Sequence, residues 1–208
     1  MQTIVLATRN EGKVQEIRAI LVDIPIRFIS LDEAGIKEEI EETGATLEEN
    51  ALLKARKAHE ISRLPALADD SGLEVDALGG APGVRSARYA GEAHSDAENR
   101  VQLLAEMSGI ASEKRNARFR CVLALVGREG KSDKSEANER LFEGICYGSI
   151  GHQDRGTMGF GYDSVFIPDG LNETFAQLSA EQKNALSHRG KAVAALREYL
   201  QTSIDANG

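Results

Sequence analysis

An α/β fold is predicted by three features of the 208-residue chain. Short β-branched apolar runs alternate with stretches of 3.6-residue apolar periodicity, two strand candidates follow one another in the middle, and the composition, 41% apolar and 28% charged, is that of an ordinary globular protein. This length supplies one substantial domain or two tightly joined lobes.

Thr3 to Ala7 reads as a buried strand, and Thr8-Arg9-Asn10-Glu11-Gly12-Lys13 as the turn into a helix whose apolar face is Val14, Ile17, Ile20 and Leu21. Thr46-Leu47-Glu48-Glu49 has the form of a capping box, with Leu47, Ala51, Ala55, Ala58 and Ile61 on one face of the helix that follows. Pro65 ends that pattern. Ala66 to Ala68 leads into Asp69-Asp70-Ser71-Gly72, read as the end of a strand, and Leu73, Val75 and Ala77 alternate as a half-buried strand beyond it. Gly79-Gly80-Ala81-Pro82-Gly83 is a turn, and Ser95-Asp96-Ala97-Glu98 caps a helix with a buried stripe of Val101, Leu104 and Ala105. Phe119 to Val126 and Leu141 to Ile150 form a long hairpin across the charged segment Gly127 to Asn138. Ser179-Ala180-Glu181-Gln182 caps a further helical start, and Ala192, Ala195, Leu196, Tyr199 and Leu200 mark the closing helix. The organisation expected is a single domain over 1–201 and a C-terminal tail over 202–208 that frays.

A net charge of −8 works against loose electrostatic capture of nucleic acid or of an anionic membrane, so any polyanionic ligand must meet a local cluster of cations. Cys121 and Cys146 lack the spacing of a zinc or redox motif and read as small buried hydrophobes. No run approaches transmembrane length and no charged leader precedes the first strand, so a cytoplasmic protein is expected.

Four constellations could carry chemistry. Thr8 to Lys13 joins a strand to a helix N-terminus, a natural anion site to which Lys13 adds a full charge, although the spacing is not that of a Walker loop. Glu38, Glu39, Glu41 and Glu42 precede Thr43-Gly44, and the adjacent Asp69 and Asp70 call for a cation or strong donors nearby. Magnesium, which prefers a few carboxylates completed by phosphate oxygens and water, suits such a set, although Asp70 also suits a turn. Gly159-Phe160-Gly161-Tyr162-Asp163 offers aromatic faces between glycines, for a flat base or for a strand core. Lys183 with Ser187-His188-Arg189-Gly190 gathers donors for a carbonyl or a phosphate. His59, His94 and His152 have no metal-binding spacing.

In this order and spacing the four stretches, with Glu49-Asn50-Ala51, Gly79 to Gly83 and Ser86-Ala87-Arg88-Tyr89, resemble the inosine triphosphate pyrophosphatase family. These nucleotide-sanitising enzymes hydrolyse non-standard purine nucleoside triphosphates such as ITP, dITP and XTP. The resemblance, from Ile4 to about Leu200, implies a two-lobed α/β structure with a long mixed twisted β-sheet flanked by helices. It also implies a nucleotide cleft between the lobes, a homodimer, magnesium as cofactor, and the nucleoside monophosphate and pyrophosphate as products. By position, Thr8, Arg9, Asn10, Glu11, Gly12 and Lys13 would hold the triphosphate, with Ser71 beside them, and Glu42 and Asp70 would hold the metal. Asp70 would also be the base for the attacking water. Phe160, Gly161, Tyr162, Asp163, Lys183, His188 and Arg189 would surround base and sugar, and Lys54 and Arg88 are secondary phosphate candidates. Arg9 stands where many relatives have glycine and Ser164 where proline is common; whether Glu41 or Glu42 meets the metal stays open.

A triphosphate can share a site with Asp69, Asp70 and Glu42 only where magnesium and lysine compensate the charge. A loose phosphoryl-transfer transition state asks mainly for in-line placement and neutralisation. Donors built for a 6-oxo group would reject adenine by roughly 10⁴. Two other readings compete: a pyrophosphatase for modified pyrimidine nucleotides, and a nucleotide sensor without turnover.

Overall fold

The computed structural model describes residues 2–92, 95–127 and 139–205. His94 and residues 128–138, most of the expected hairpin turn, lie outside them. In chain order the elements are β1 (Gln2–Leu6), α1 (Glu11–Ile20), β2 (Ile26–Ser30), α2 (Leu47–Ser62), β3 (Ala66–Val75), α3 (Asp96–Glu106), β4 (Asn116–Val126), β5 (Glu139–Ile150), β6 (Phe166–Pro168), α4 (Ala180–Leu186) and α5 (His188–Asp205). The strands form a six-stranded sheet in the order β2-β1-β3-β4-β5-β6. It is mixed: β1 runs parallel to β2 and to β3, whereas β5 and β6 are antiparallel.

The chain divides into two compact units, one of Met1–Asp70, Cys121–Gly144 and Arg189–Gly208, the other of Ser71–Arg120 and Ile145–His188. In the first, Ile4, Val5 and Leu6 are all fully buried, which is why β1 reads as a continuous apolar run rather than an alternation. Ile4 and Leu6 join Val14 and Ile17 of α1, Leu67 of β3, Cys121, Leu123 and Leu125 of β4, and Val193, Leu196 and Leu200 of α5 in one core. The parallel pairing of β1 with β2 uses α1 as its crossover, the connection that parallel neighbours require.

The second unit has its own core of Leu73, Val75, Leu103, Met107, Phe119, Phe166 and Phe175. Phe119 meets Phe166 edge-on at 4.7 Å, the favoured geometry for an aromatic pair. Arg115 is buried against carbonyls, donating to Met107, Ile150 and Gly151, each at 2.7 Å. It thereby ties the end of α3 to the end of β5.

Several expectations need correction. Asp69 and Asp70 lie within the ten-residue strand β3 rather than at a strand end, and the strand finishes at Val75, so Ala77 falls in a short helical turn. The buried face of α3 is Asn99 and Leu103, and Val101 is 67% exposed. Ile61 and Ala195 also face outward, with Val193 taking the inward position on α5. Strands β2 and β6 were not anticipated, and α5 continues to Asp205, through most of the stretch expected to fray. The box at Thr46 is shifted: Thr46 accepts from the Glu49 N–H, but the Glu49 carboxylate accepts from Ala45. Both cysteines are buried thiols, as expected. Among the described residues no helix is long and apolar enough to cross a membrane.

Candidate active site

Successive strand residues point to opposite faces, and this separates the two aspartates of β3. Asp69 receives the Lys13 ammonium on one carboxylate oxygen; on the other, Arg189 Nε donates at 2.8 Å and Cys121 Sγ at 3.2 Å. Arg189 also reaches Glu16 Oε2 at 2.5 Å. Burial alone would push the Asp69 carboxyl up, but the Arg189 guanidinium and then the Lys13 ammonium override it and hold the group well below the usual range. Asp69 is therefore an anchor for two cations that stays ionised well below the usual aspartate range.

Asp70 faces a different partner. Lys54 Nζ donates to Asp70 Oδ1 at 2.9 Å, to Glu42 Oε1 at 2.6 Å and to the Asp69 carbonyl at 2.8 Å. Burial raises Asp70, Lys54 and Lys13 pull it down, and Glu42 pushes it up again, so its pKa stands above the ordinary aspartate value. Burial opposes the charge on Lys54, yet Asp70 and Glu42 more than compensate and keep it protonated. Two carboxylates thus share one ammonium. Of the two candidates in the acidic run, Glu42 makes this contact and Glu41 is exposed.

Glu42 is carried by a loop pinned to the first turn of α2. The Gly44 N–H donates to Asn50 Oδ1 at 2.7 Å, and the approach is so close that a Cβ on Gly44 would stand 2.7 Å from that oxygen. Asn50 and Lys54 are one turn apart on the buried face of α2. At the start of α1, Asn10 accepts from the Lys13 N–H at 3.0 Å, and its own N–H donates to Thr8 Oγ1 at 3.2 Å. Glu11 is exposed in the first turn and Gly12 half-buried. Arg9 points at Asp32 (2.7 Å) and the Ile36 carbonyl (3.0 Å), which ties the turn to the segment after β2.

In the second unit, Asp163 organises the glycine-flanked loop. Its Oδ2 accepts from the Phe160 N–H at 2.9 Å and from Lys183 Nζ at 2.5 Å, and Lys183 lies 4.7 Å from the centre of the half-buried Phe160 ring. Tyr162 is core instead, buried with its hydroxyl donating to the Ser86 carbonyl at 2.9 Å, so its ring is not an open face. His188 is buried and stacks on Phe119 at 4.6 Å and 9°. The fourth stretch is consequently split: Lys183 and His188 belong to this unit, while Arg189 serves Asp69 in the other. Ser71, half-buried, and Arg88, in the helical turn Gly83–Arg88, also lie in the second unit.

Sequence reasoning missed Glu16, which follows Lys13 by three residues on α1, and gave Asn50 no role. A polar residue at position 50 on the face that carries Leu47, Ala51, Ala55 and Ala58 was the available signal. His59 Nδ1 lies 2.7 Å from the Leu64 carbonyl and His152 Nε2 2.9 Å from Ser112 Oγ, ordinary structural contacts. Among the described residues no three His, Cys, Asp or Glu side chains gather as a metal cage. Glu42 and Asp70, two hard oxygen donors converging on one cation, do fit a metal that takes its remaining ligands from water and substrate.

These features define a mixed-sheet α/β protein with a buried lysine–carboxylate centre. Residues 4–199 match the model of the Ham1 family, and the chain belongs to that family. It is 49% identical over 200 residues to a Geobacter sulfurreducens protein named dITP/XTP pyrophosphatase, covering 96% of this chain and 97% of that one. A Haemophilus influenzae protein of the same name is 50% identical over 199 residues, covering 96% and 99%. The structure of a HAM1 protein from Coxiella burnetii superposes with a TM-score of 0.85 at 42% identity, covering 97% of this chain and all of that one.

Proposed function

We propose that this protein hydrolyses non-canonical purine nucleoside triphosphates, ITP, dITP and XTP, to the nucleoside monophosphate and pyrophosphate. The observation that carries this reading is Asp70, buried, raised in pKa and sharing the Lys54 ammonium with Glu42, in a chain nearly half identical to proteins named for that activity.

The reaction adds water at the α-phosphorus and breaks the α–β anhydride bond, and pyrophosphate leaves. Asp70 accepts the proton of the attacking water; a carboxylate with a raised pKa is a better base than an ordinary aspartate. Lys13 and Lys54 neutralise the polyphosphate, and the open first turn of α1, with Thr8 and Asn10, supplies amide and hydroxyl donors. Asp69, itself held by Arg189, acts behind Lys13 and fixes its ammonium. Glu42 and Asp70 would hold magnesium, which supplies charge neutralisation and polarisation of the phosphate when bound. Phe160 offers a stacking face, and Lys183 and His188 are donors suited to a 6-oxo purine. Family membership further supports a homodimer and a cytoplasmic location, which sedimentation and cell fractionation test.

The deciding experiment is release of pyrophosphate, rather than orthophosphate, from ITP with and without magnesium. Release from ITP and XTP with little from ATP is expected; preference for a modified pyrimidine triphosphate, or no release at all, overturns the reading.

A further inference from the structure

The loop bearing Phe160 is gripped by two charged side chains of α3. The Gly161 N–H donates to Asp96 Oδ2 at 2.7 Å, and the Gly161 carbonyl accepts from Arg100 NH1 at 2.9 Å. Asp96 and Arg100 stand one turn apart on one helix face, so a single face holds both polar groups of one glycine. An acid and a base at this spacing ordinarily serve each other; here both are directed at an uncharged peptide. Charge-assisted bonds of this kind are shorter and roughly twice as strong as neutral ones. Gly161 has φ +59°, the left-handed region that side chains rarely adopt.

The rest of the network has the same purpose. Arg100 Nε donates to Asp154 Oδ1 at 2.7 Å, and Ser164 donates to that same oxygen, so the guanidinium is itself fixed. Along this stretch the loop borders a hollow of about 310 Å³ lined in part by Arg100, Asp154, Met158, Phe160 and Ser164. At Gly161 nothing stands within 4 Å of where a Cβ would lie, so packing on that side does not fix this peptide, and the two side-chain hydrogen bonds hold it. Asp163 holds the neighbouring Phe160 N–H, so the peptides on both sides of the Phe160 side chain are tied.

We propose that Asp96 and Arg100 are positioning residues for purine recognition, clamping Gly161 so that Phe160 is presented to the base in one orientation. This rests on the assignment of Phe160 to the base made above. Asp96→Ala, Arg100→Ala and the conservative Asp96→Asn test it with two readouts. In nucleotide-free protein, amide exchange over residues 160–163 is expected to quicken on the order of ten-fold in both alanine variants and to stay near wild type in Asp96→Asn. With ITP, KM is expected to rise on the order of ten-fold in the alanine variants, with kcat changed less than about two-fold. Unchanged exchange in Asp96→Ala, whose exposed position removes little packing, overturns the clamp. Faster exchange with unchanged KM, or a loss confined to kcat, overturns its role in recognition. Wild-type protein inactive on ITP would defeat the functional reading instead, and the exchange comparison would still decide whether the clamp exists.

Discussion

Adjacent aspartates in β3 carry opposite pKa shifts: burial raises both, Arg189 and Lys13 override it at Asp69, and at Asp70 burial and Glu42 outweigh Lys54 and Lys13. Asp70→Asn is expected to keep the fold and measurable ITP binding while losing at least about 10²-fold in turnover, the scale of a general base; a pyrophosphate assay beside a binding titration checks this. Lys54→Met leaves Glu42 and Asp70 facing one another without their shared ammonium. Urea unfolding without metal should report a loss of about 3 kcal/mol, and magnesium should restore more stability to this variant than to wild type. For Asp69 the folded pKa is depressed, so the unfolded chain binds its proton more readily. Its contribution to stability is present above the ordinary aspartate value and is lost as pH falls from there toward the folded value. In Asp69→Asn, denaturation across that acid range should have a shallower pH dependence than in wild type.

At the level of elements, β3 owes its course to what it passes. A Cβ on Gly72 would stand 2.5 Å from the Gly83 carbonyl, and the next residue, Leu73, donates its N–H to Ser86 Oγ at 2.9 Å. Gly72→Ala should therefore cost about 2 kcal/mol or more, measured as a lowered urea midpoint, although the position is one of extended backbone. Helix starts at Asn10, Thr46, Ser95 and Ser179 were legible because a cap is written in neighbouring residues. The course of β3 was less so: two consecutive acids resemble a loop until their partners are known, Lys13 and Arg189 at 56 and 120 positions from Asp69 and Lys54 at 16 from Asp70. The stripe on α3 was misread because Asn99, buried to accept from the Ala90 N–H and donate to the Ala87 carbonyl, takes a place where an apolar residue is expected. The motifs of the site were visible as short words. Their partition was not, since nothing local says that Arg189 leaves its neighbour His188 for Asp69, or that Tyr162 is spent on the core.

Among the described residues, the two cores described above, one in each unit, draw on interleaved stretches of chain. The first takes residues from β1, α1 and β3, then from β4, and finally from α5 at the far end of the sequence. A fragment of residues 1–70 would lack Cys121, Leu123, Leu125, Val193, Leu196 and Leu200, and is expected to show no cooperative thermal transition by circular dichroism where the full chain is expected to show one. Because the backbone passes between the two units four times, at 70/71, 120/121, 144/145 and 188/189, neither corresponds to a continuous stretch of gene. Grafting one unit from a relative would require simultaneous junctions inside three strands and at the head of the last helix. Single-crossover recombination would always break up the first unit, whose segments flank the second on both sides, whereas a crossover within residues 1–70 or 189–208 would pass the second on intact.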